Sequence, residues 1–202
     1  MSRNFKIGCI VVGVIVVVLA LSAYAYVKNM YNGFVNLDES VNQTWAQVQN
    51  VYQRRFDLIP NLVETVKGYA AHEKETFTSV TEARSKVGGV LQLQAKDLTP
   101  ENLQQFQQAQ AGLSGALQRL MVVVERYPDL KANQNFIRLQ DELAGTENRI
   151  AVERRRFNEA VQEYNRRIRQ FPERLLANMF GFAQRPYFKA EQGAEQAPKV
   201  KF

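Results

Sequence analysis

The chain has one cysteine, one histidine and one tryptophan in 202 residues, and these scarcities remove whole classes of chemistry. A lone Cys9 and a lone His72 cannot supply a Cys/His zinc site, an internal disulfide or a paired-thiol redox centre. No Gly-x-Ser-x-Gly elbow, Walker glycine loop or dinucleotide-binding glycine pattern occurs either. Carboxylate or hydroxyl catalysis, or binding without catalysis, is what stays open, and no cofactor or metal is expected. Between residues 34 and 171 proline occurs three times and glycine is sparse. That stretch also lacks the sustained period-two alternation a sheet would need.

Charge is missing altogether from Ile7 to Val27, 21 residues of which 18 are apolar. At about 1.5 Å per residue such a helix spans roughly 30 Å, the thickness of a bilayer's hydrocarbon layer. A cleavable secretory signal is the alternative, because Ala23-Tyr24-Ala25 fits a small-x-small cleavage site; the run, however, exceeds the usual h-region of about 7 to 15 residues. Cys9 does not read as a lipoprotein cysteine, with only eight residues before it and Lys6 where an apolar residue is wanted. Arg3 and Lys6 precede the run and only Lys28 closely follows it. The positive-inside rule therefore favours an inner-membrane, single-pass anchor with the body on the periplasmic side. The margin is one basic side chain, and the opposite topology stays open.

What the rest of the chain does have is helical periodicity. From about Phe34 to Val87, Trp45, Tyr52, Ile59, Val66, Val80 and Val87 share a seven-spaced row, with Val41, Val48, Leu62 and Tyr69 beside it and Arg55 and Glu73 as polar interruptions. This reads as one long helix stopped by Gly88-Gly89 and bent at Pro60, which costs on the order of 3 kcal/mol in a helix interior. Thr99-Pro100 offers the next start, with Thr as cap and Pro where its missing N–H costs nothing. Leu103, Phe106, Gln110, Leu113, Leu117, Leu120, Val124 and Tyr127 then recur at three and four residues until Pro128. In a third segment Phe136, Leu143, Ile150, Phe157, Tyr164 and Phe171 repeat every seven residues. Phe171-Pro172 ends it, before a short amphipathic piece from Glu173 to Phe180. Rows of this coiled-coil kind hide against neighbouring helices. The expected fold is all-α: an N-terminal transmembrane helix (residues 1–30), then an antiparallel up-and-down helical bundle (31–181) of three long helices plus a short C-terminal one. A loosely held tail (182–202) follows.

Tyr31-Asn32, Trp45, the block Arg54-Arg55-Phe56-Asp57-Leu58-Ile59-Pro60-Asn61-Leu62-Val63, Lys67-Gly68-Tyr69-Ala70, Glu73 and Ala83-Arg84 resemble the LemA family. Phe157-Asn158, Tyr164-Asn165, Phe171-Pro172, Gly181-Phe182 and Tyr187-Phe188 extend the likeness over nearly the whole chain. The resemblance implies an N-terminal transmembrane segment followed by an all-α antiparallel bundle, in a family with no agreed enzymatic activity. It carries over no catalytic residues.

Five polar residues stand in or beside the seams: Arg55, Asp57, Asn61, Asn158 and Asn165. They read as ties between helices that fix register, with a small-ligand pocket beside the Pro60 kink as the sharper alternative. His72, Glu73 and Glu75 are too poorly aligned on a helix to form a metal or acid/base site. Residues 147 to 185 hold nine arginines against five glutamates. Most of this is a solvated face, and Arg154, Arg155 and Arg156 are the candidates for lipid headgroup contact. Acids alternate with these arginines and no stacking platform accompanies them, so nucleic acid is not an expected partner. Asn102 to Gln118 carries no charge at all. Either this helix is central and covered on both sides, or Gln107, Ala111 and Ser114 mark a face that meets a protein partner or a second copy. The expected function is thus a non-enzymatic, membrane-anchored interaction or scaffold protein of the bacterial envelope. The rival class is a small-ligand-binding or carboxylate-dependent hydrolytic protein using Asp57, Glu73 and Glu101.

Overall fold

A computed structural model describes residues 3–189, with side chains from Val11 onward. All regular structure among them is helical: α1 (Arg3–Lys67), α2 (Lys74–Val90), a short 3-10 turn (Ala95–Asp97), α3 (Pro100–Val124), α4 (Pro128–Lys131), α5 (Gln134–Arg169) and α6 (Glu173–Met179). The apolar run and the first seam belong to one uninterrupted helix. Within α1 no residue of the most apolar window is buried, and the helix is long and apolar enough to cross a membrane. The backbone is helical throughout Ile7–Val27, although the side chains of Ile7 to Ile10 lie outside the described residues.

The long first segment expected from periodicity is two helices. The chain leaves α1 after Lys67, and Gly68, Tyr69 and Ala70 turn back onto Glu64 and Val66 through backbone hydrogen bonds of 2.9 to 3.3 Å. The turn falls where the seven-spaced row loses its apolar residue, at Glu73. That carboxylate pairs with Arg126 at 3.0 Å and accepts from the Tyr127 hydroxyl at 3.2 Å. Nor do Gly88-Gly89 end a helix, since α2 runs through both to Val90. Loop carbonyls beyond it are engaged by α1 instead: Trp45 Nε1 donates to Leu93 O at 2.7 Å, and Gln49 Nε2 to Leu91 O and Leu93 O at 3.0 and 2.9 Å. Thr99 caps α3 as expected, its hydroxyl accepting from the Asn102 amide at 3.2 Å while Asn102 Oδ1 accepts from the Thr99 amide at 2.8 Å.

Residues 41–161 and 185–189 form one compact unit, and residues 3–40 and 162–184 another. In the first unit the rows expected to be seams are buried almost throughout, Trp45, Tyr52, Ile59, Phe106, Leu113, Leu120, Phe136, Leu143, Ile150 and Phe157 among them. Trp45 is the hub, with ring centroids 5.6 Å from Phe106, 5.5 Å from Phe157 and 5.9 Å from Phe188. Each such aromatic pair adds about 0.5 to 1.5 kcal/mol beyond its area. Phe188, inside the stretch 182–202 expected as a loosely held tail, is packed into this core. Its amide donates to Asn158 Oδ1 at 2.9 Å, its carbonyl accepts from Asn158 Nδ2 at 3.0 Å, and its ring is 5% exposed. Residues 190–202 lie outside the described residues.

Pro60 is carried inside α1. A residue with an N–H there would donate to Phe56 O, four residues back, and proline cannot. Arg84 of α2 supplies the missing donor, its Nε reaching Phe56 O at 3.3 Å while its guanidinium lies 3.8 Å above the Phe56 ring. The proline and the arginine of the motif are thereby one device.

In the second unit Met30, Phe34, Tyr164 and Ala177 are buried. The end of α6 is a Schellman cap: Gly181 takes φ +79°, the Gly181 amide donates to Asn178 O at 3.3 Å, and the Phe182 amide to Ala177 O at 2.9 Å. That cap turns Phe182 onto Phe34 and Tyr31, with centroids 5.3 and 5.8 Å away. Phe171, expected to continue the α5 seam, is 83% exposed because α5 stops at Arg169.

Candidate functional site

Arg55 sits on α1 at a position whose neighbours three, four and seven residues away, Tyr52, Ile59 and Leu62, are all buried, so its guanidinium is drawn inward and is 3% exposed. Burying such a charge is costly unless it is paired. Two other helices provide partners. Nη2 donates to Ser114 Oγ of α3 at 2.7 Å, and Nε approaches Glu147 Oε1 of α5 to 3.0 Å as an ion pair without a directed hydrogen bond. Ser114 in turn donates to Gln110 O at 3.2 Å.

These side chains form walls of a cavity of about 480 Å³, which Gln107, Ala111, Arg154 and Lys189 also line. Gln110 stands at a seam position of α3 and is 5% exposed, and both polar atoms of its amide are buried with no partner in the protein. A buried amide that lacks hydrogen bonds costs on the order of 1 to 3 kcal/mol, so the pocket holds an unmet donor and an unmet acceptor side by side.

The residues singled out by sequence are thus regrouped. Gln107, Ala111 and Ser114, chosen for a partner face, line the same cavity as Arg55. Arg154 joins them, its Nη2 donating to Lys189 O at 3.1 Å and its guanidinium 4.9 Å from the Phe188 ring. Arg155 and Arg156 point elsewhere and pair with Glu159 at 3.9 Å and Glu153 at 2.8 Å. Asn158 ties α5 to Phe188, and Asn165 is buried and engaged. Asp57 and Asn61 are exposed, and Asp57 accepts from Gln53 on its own helix at 2.8 Å. Glu147 and Phe188 were not singled out. Phe188 had a signal in the aromatic pair Tyr187-Phe188, and Glu147 had none, being one of many exposed acids.

A groove of about 780 Å³ does lie beside Pro60, between α1 and α2, walled by Ile59, Val63, Phe77 and Val80 and rimmed by Glu64 and Lys74. The three carboxylates proposed for hydrolysis do not line it. Glu73 is held by Arg126 and Tyr127. Glu101 opens α3, and its carboxyl is kept below the usual carboxylate range by a backbone hydrogen bond and then by the Thr99 hydroxyl. Both favour the ionised form, the reverse of what a general acid needs. Among the described residues no cluster of His, Cys, Asp and Glu is arranged to hold a metal ion.

The outer side of α3 is open. Gln104, Gln105, Gln108, Ala111 and Gly112 are exposed, so this is not a central, doubly covered helix.

Comparison with known proteins places these features in a family. The model of the LemA family matches residues 44–202, which include every wall of both cavities. Magnetosome protein MamQ 2 of Paramagnetospirillum magneticum is 28% identical over 205 residues, covering 92% of this chain and 75% of that protein. Magnetosome protein MamQ of Magnetospirillum gryphiswaldense is also 28% identical, with 89% and 73% covered. Protein LemA of Metamycoplasma hominis is 22% identical over 161 residues, 80% of this chain and 69% of its own length.

Proposed function

The chain belongs to the LemA family, and from that premise we propose that it is a non-catalytic interaction protein of the bacterial envelope. In this reading α1 crosses the inner membrane once and the body stands on the periplasmic side. The body is read as an antiparallel up-and-down bundle of the four-helix class. Two pairings support that: Trp45 meets Phe157, and Arg55, ten residues later, meets Glu147, ten residues earlier. The observation that carries the functional reading is the open side of α3. A helix facing water ordinarily carries Lys and Glu there, whereas Asn102 to Gln118 has no charge and leaves Gln105, Gln108, Ala111 and Gly112 exposed. A face without charge meets a protein surface at low desolvation cost. Single cysteines at Gln105 and Gln108, in a Cys9→Ser background, test this by crosslinking in intact membranes. The expected result is one dominant adduct lost on Ala111→Glu, with a doubled mass identifying a second copy. Equal labelling by a soluble reagent before and after solubilisation, with no adduct, would sink the reading.

A second reading is favoured by Gln110 alone. Its orphan amide, beside Arg55 and Arg154, suits a small polar solute that both donates and accepts hydrogen bonds and carries negative charge. N-acetylaspartate is a suitable probe. Saturable shifts of the Gln110 side-chain amide resonances are expected, absent in Gln110→Leu; no shift at millimolar probe would remove the solute reading and leave an internal water as the partner.

A further inference from the structure

The corner built by the end of α5, α6 and the following turn has features that anchoring by α1 alone does not require. Phe171, Leu175 and Met179 stand four residues apart and are 83%, 63% and 66% exposed. Leu176 and Ala177 on the other side of α6 face inward, Ala177 fully. A small apolar stripe in water is unremarked on its own, but this one is flanked by cations. Arg166, Arg169 and Arg174 are exposed, while Arg167 is paired with Glu173 at 3.2 Å, which neutralises the nearest acid. Arg169, Arg174 and Asn178 also line a cavity of about 550 Å³ with Phe182 and Gln184. Two guanidinium groups and an amide are the donor set that suits a phosphate.

Depth decides what this corner meets. Phe180 packs against Tyr31 with centroids 5.0 Å apart, and Phe182 against Phe34 at 5.3 Å. Tyr31 and Phe34 lie four and seven residues beyond Val27, where the apolar run ends, or roughly 6 and 10 Å along the helix axis. The headgroup layer beyond the hydrocarbon is about 5 to 8 Å thick. The Phe180–Tyr31 contact therefore holds the end of α6 at headgroup level, where Trp and Tyr belts and interfacial helices reside, and the Phe182–Phe34 contact lies just beyond the outer edge of that layer.

We propose that this corner is a second, interfacial contact with the bilayer, in which Phe171, Leu175 and Met179 enter the headgroup boundary and Arg169, Arg174 and Asn178 cradle the phosphate of an anionic phospholipid. The inference rests on the membrane-anchored reading, so its test is made on the full chain in vesicles. In a Cys9→Ser background, an environment-sensitive fluorophore at Leu175→Cys is compared with one at Gln108→Cys, in vesicles containing headgroup-level spin-labelled lipid, with and without phosphatidylglycerol. Strong quenching at 175 in the anionic vesicles and none at 108 is expected. Arginines near an anionic surface each change the docking equilibrium on the order of fivefold, so Arg169→Gln with Arg174→Gln should weaken it roughly twenty-five-fold. Quenching at 175 no greater than at 108, or indifferent to the double substitution, overturns the proposal. Resistance to alkaline extraction is measured alongside; its loss in the parent protein signals failure of the anchor reading instead.

Discussion

Two hollows flank the same ten-residue block, Arg54 to Val63, and they differ in whether their polar groups are satisfied. Beside Pro60 the groove is walled by apolar side chains, and the one backbone acceptor that proline leaves open is filled by Arg84. Beside Arg55 the cavity is polar, its guanidinium is shared between Ser114 and Glu147, and Gln110 is left with an unpaired donor and acceptor. The irregular motif thus serves two ends. Its C-terminal half maintains a helix through a proline, and its N-terminal half builds a place where something polar is missing. A pocket with unmet hydrogen-bonding capacity is a better candidate for recognition than a larger one without it.

The largest test of that contrast is Glu147→Leu. Removing one partner of a buried charge pair costs about 3 to 5 kcal/mol when both are buried; Glu147 is half exposed and Ser114 still holds Arg55, so about 1 to 3 kcal/mol is expected in urea unfolding. Arg55→Met added to it should recover part of the loss, because no charge is then stranded; no recovery would mean that the cavity is held by packing alone. At the other hollow, Arg84→Met should cost about 1 to 2 kcal/mol by freeing the Phe56 carbonyl and losing the ring contact. In a Pro60→Ala background residue 60 again has an N–H for Phe56 O, and the same substitution should cost measurably less. An additive double-mutant cycle would break the link between the two residues.

Next in size, Gln110→Leu should be neutral or stabilising by up to about 1 kcal/mol, since it removes two unsatisfied polar atoms. Destabilisation beyond that would show that the amide has a partner, such as a buried water. The smallest effect is at Glu101, whose folded-state carboxyl is depressed. Its contribution is present above its unfolded value and is lost as pH falls through the folded one, so Glu101→Gln should flatten only the acid limb of stability against pH. A change near neutral pH would contradict the capping role.

Much of this was legible in the residues. Nearly every residue of the seven-spaced rows is buried, because the helical repeat puts such residues on one side and water drives that side inward. The Thr99-Pro100 start was legible for a local reason, since cap and amide lie three residues apart. Two seam expectations failed at ends: Tyr69 and Phe171 keep the spacing but lie beyond Lys67 and Arg169, where the helices stop, and both are exposed. The Gly88-Gly89 stop failed because glycine permits a helix end and does not require one. In the candidate site, Arg55 and Gln110 were visible as polar residues in apolar rows and Phe188 only through the aromatic pair Tyr187-Phe188, whereas Glu147 was not, because nothing local distinguishes an acid that is called on from far along the chain.

The sequence by itself determined the helical class, the membrane-competent run at the N-terminus, the buried rows and the poverty of catalytic side chains. Each follows from spacing or composition, which act through short-range geometry and solvent preference. Only the tertiary structure decided that Glu73 marks a turn, that Arg84 supplies to Phe56 O the donor that Pro60 lacks, and that Phe188 closes the aromatic core. It alone decided that Arg55, Ser114, Glu147 and an orphaned Gln110 share one cavity. The hydrogen bond from Arg84 to Phe56 spans 28 positions and that from Arg55 to Ser114 spans 59; contacts across such separations are set by how whole helices pack, which no local pattern encodes.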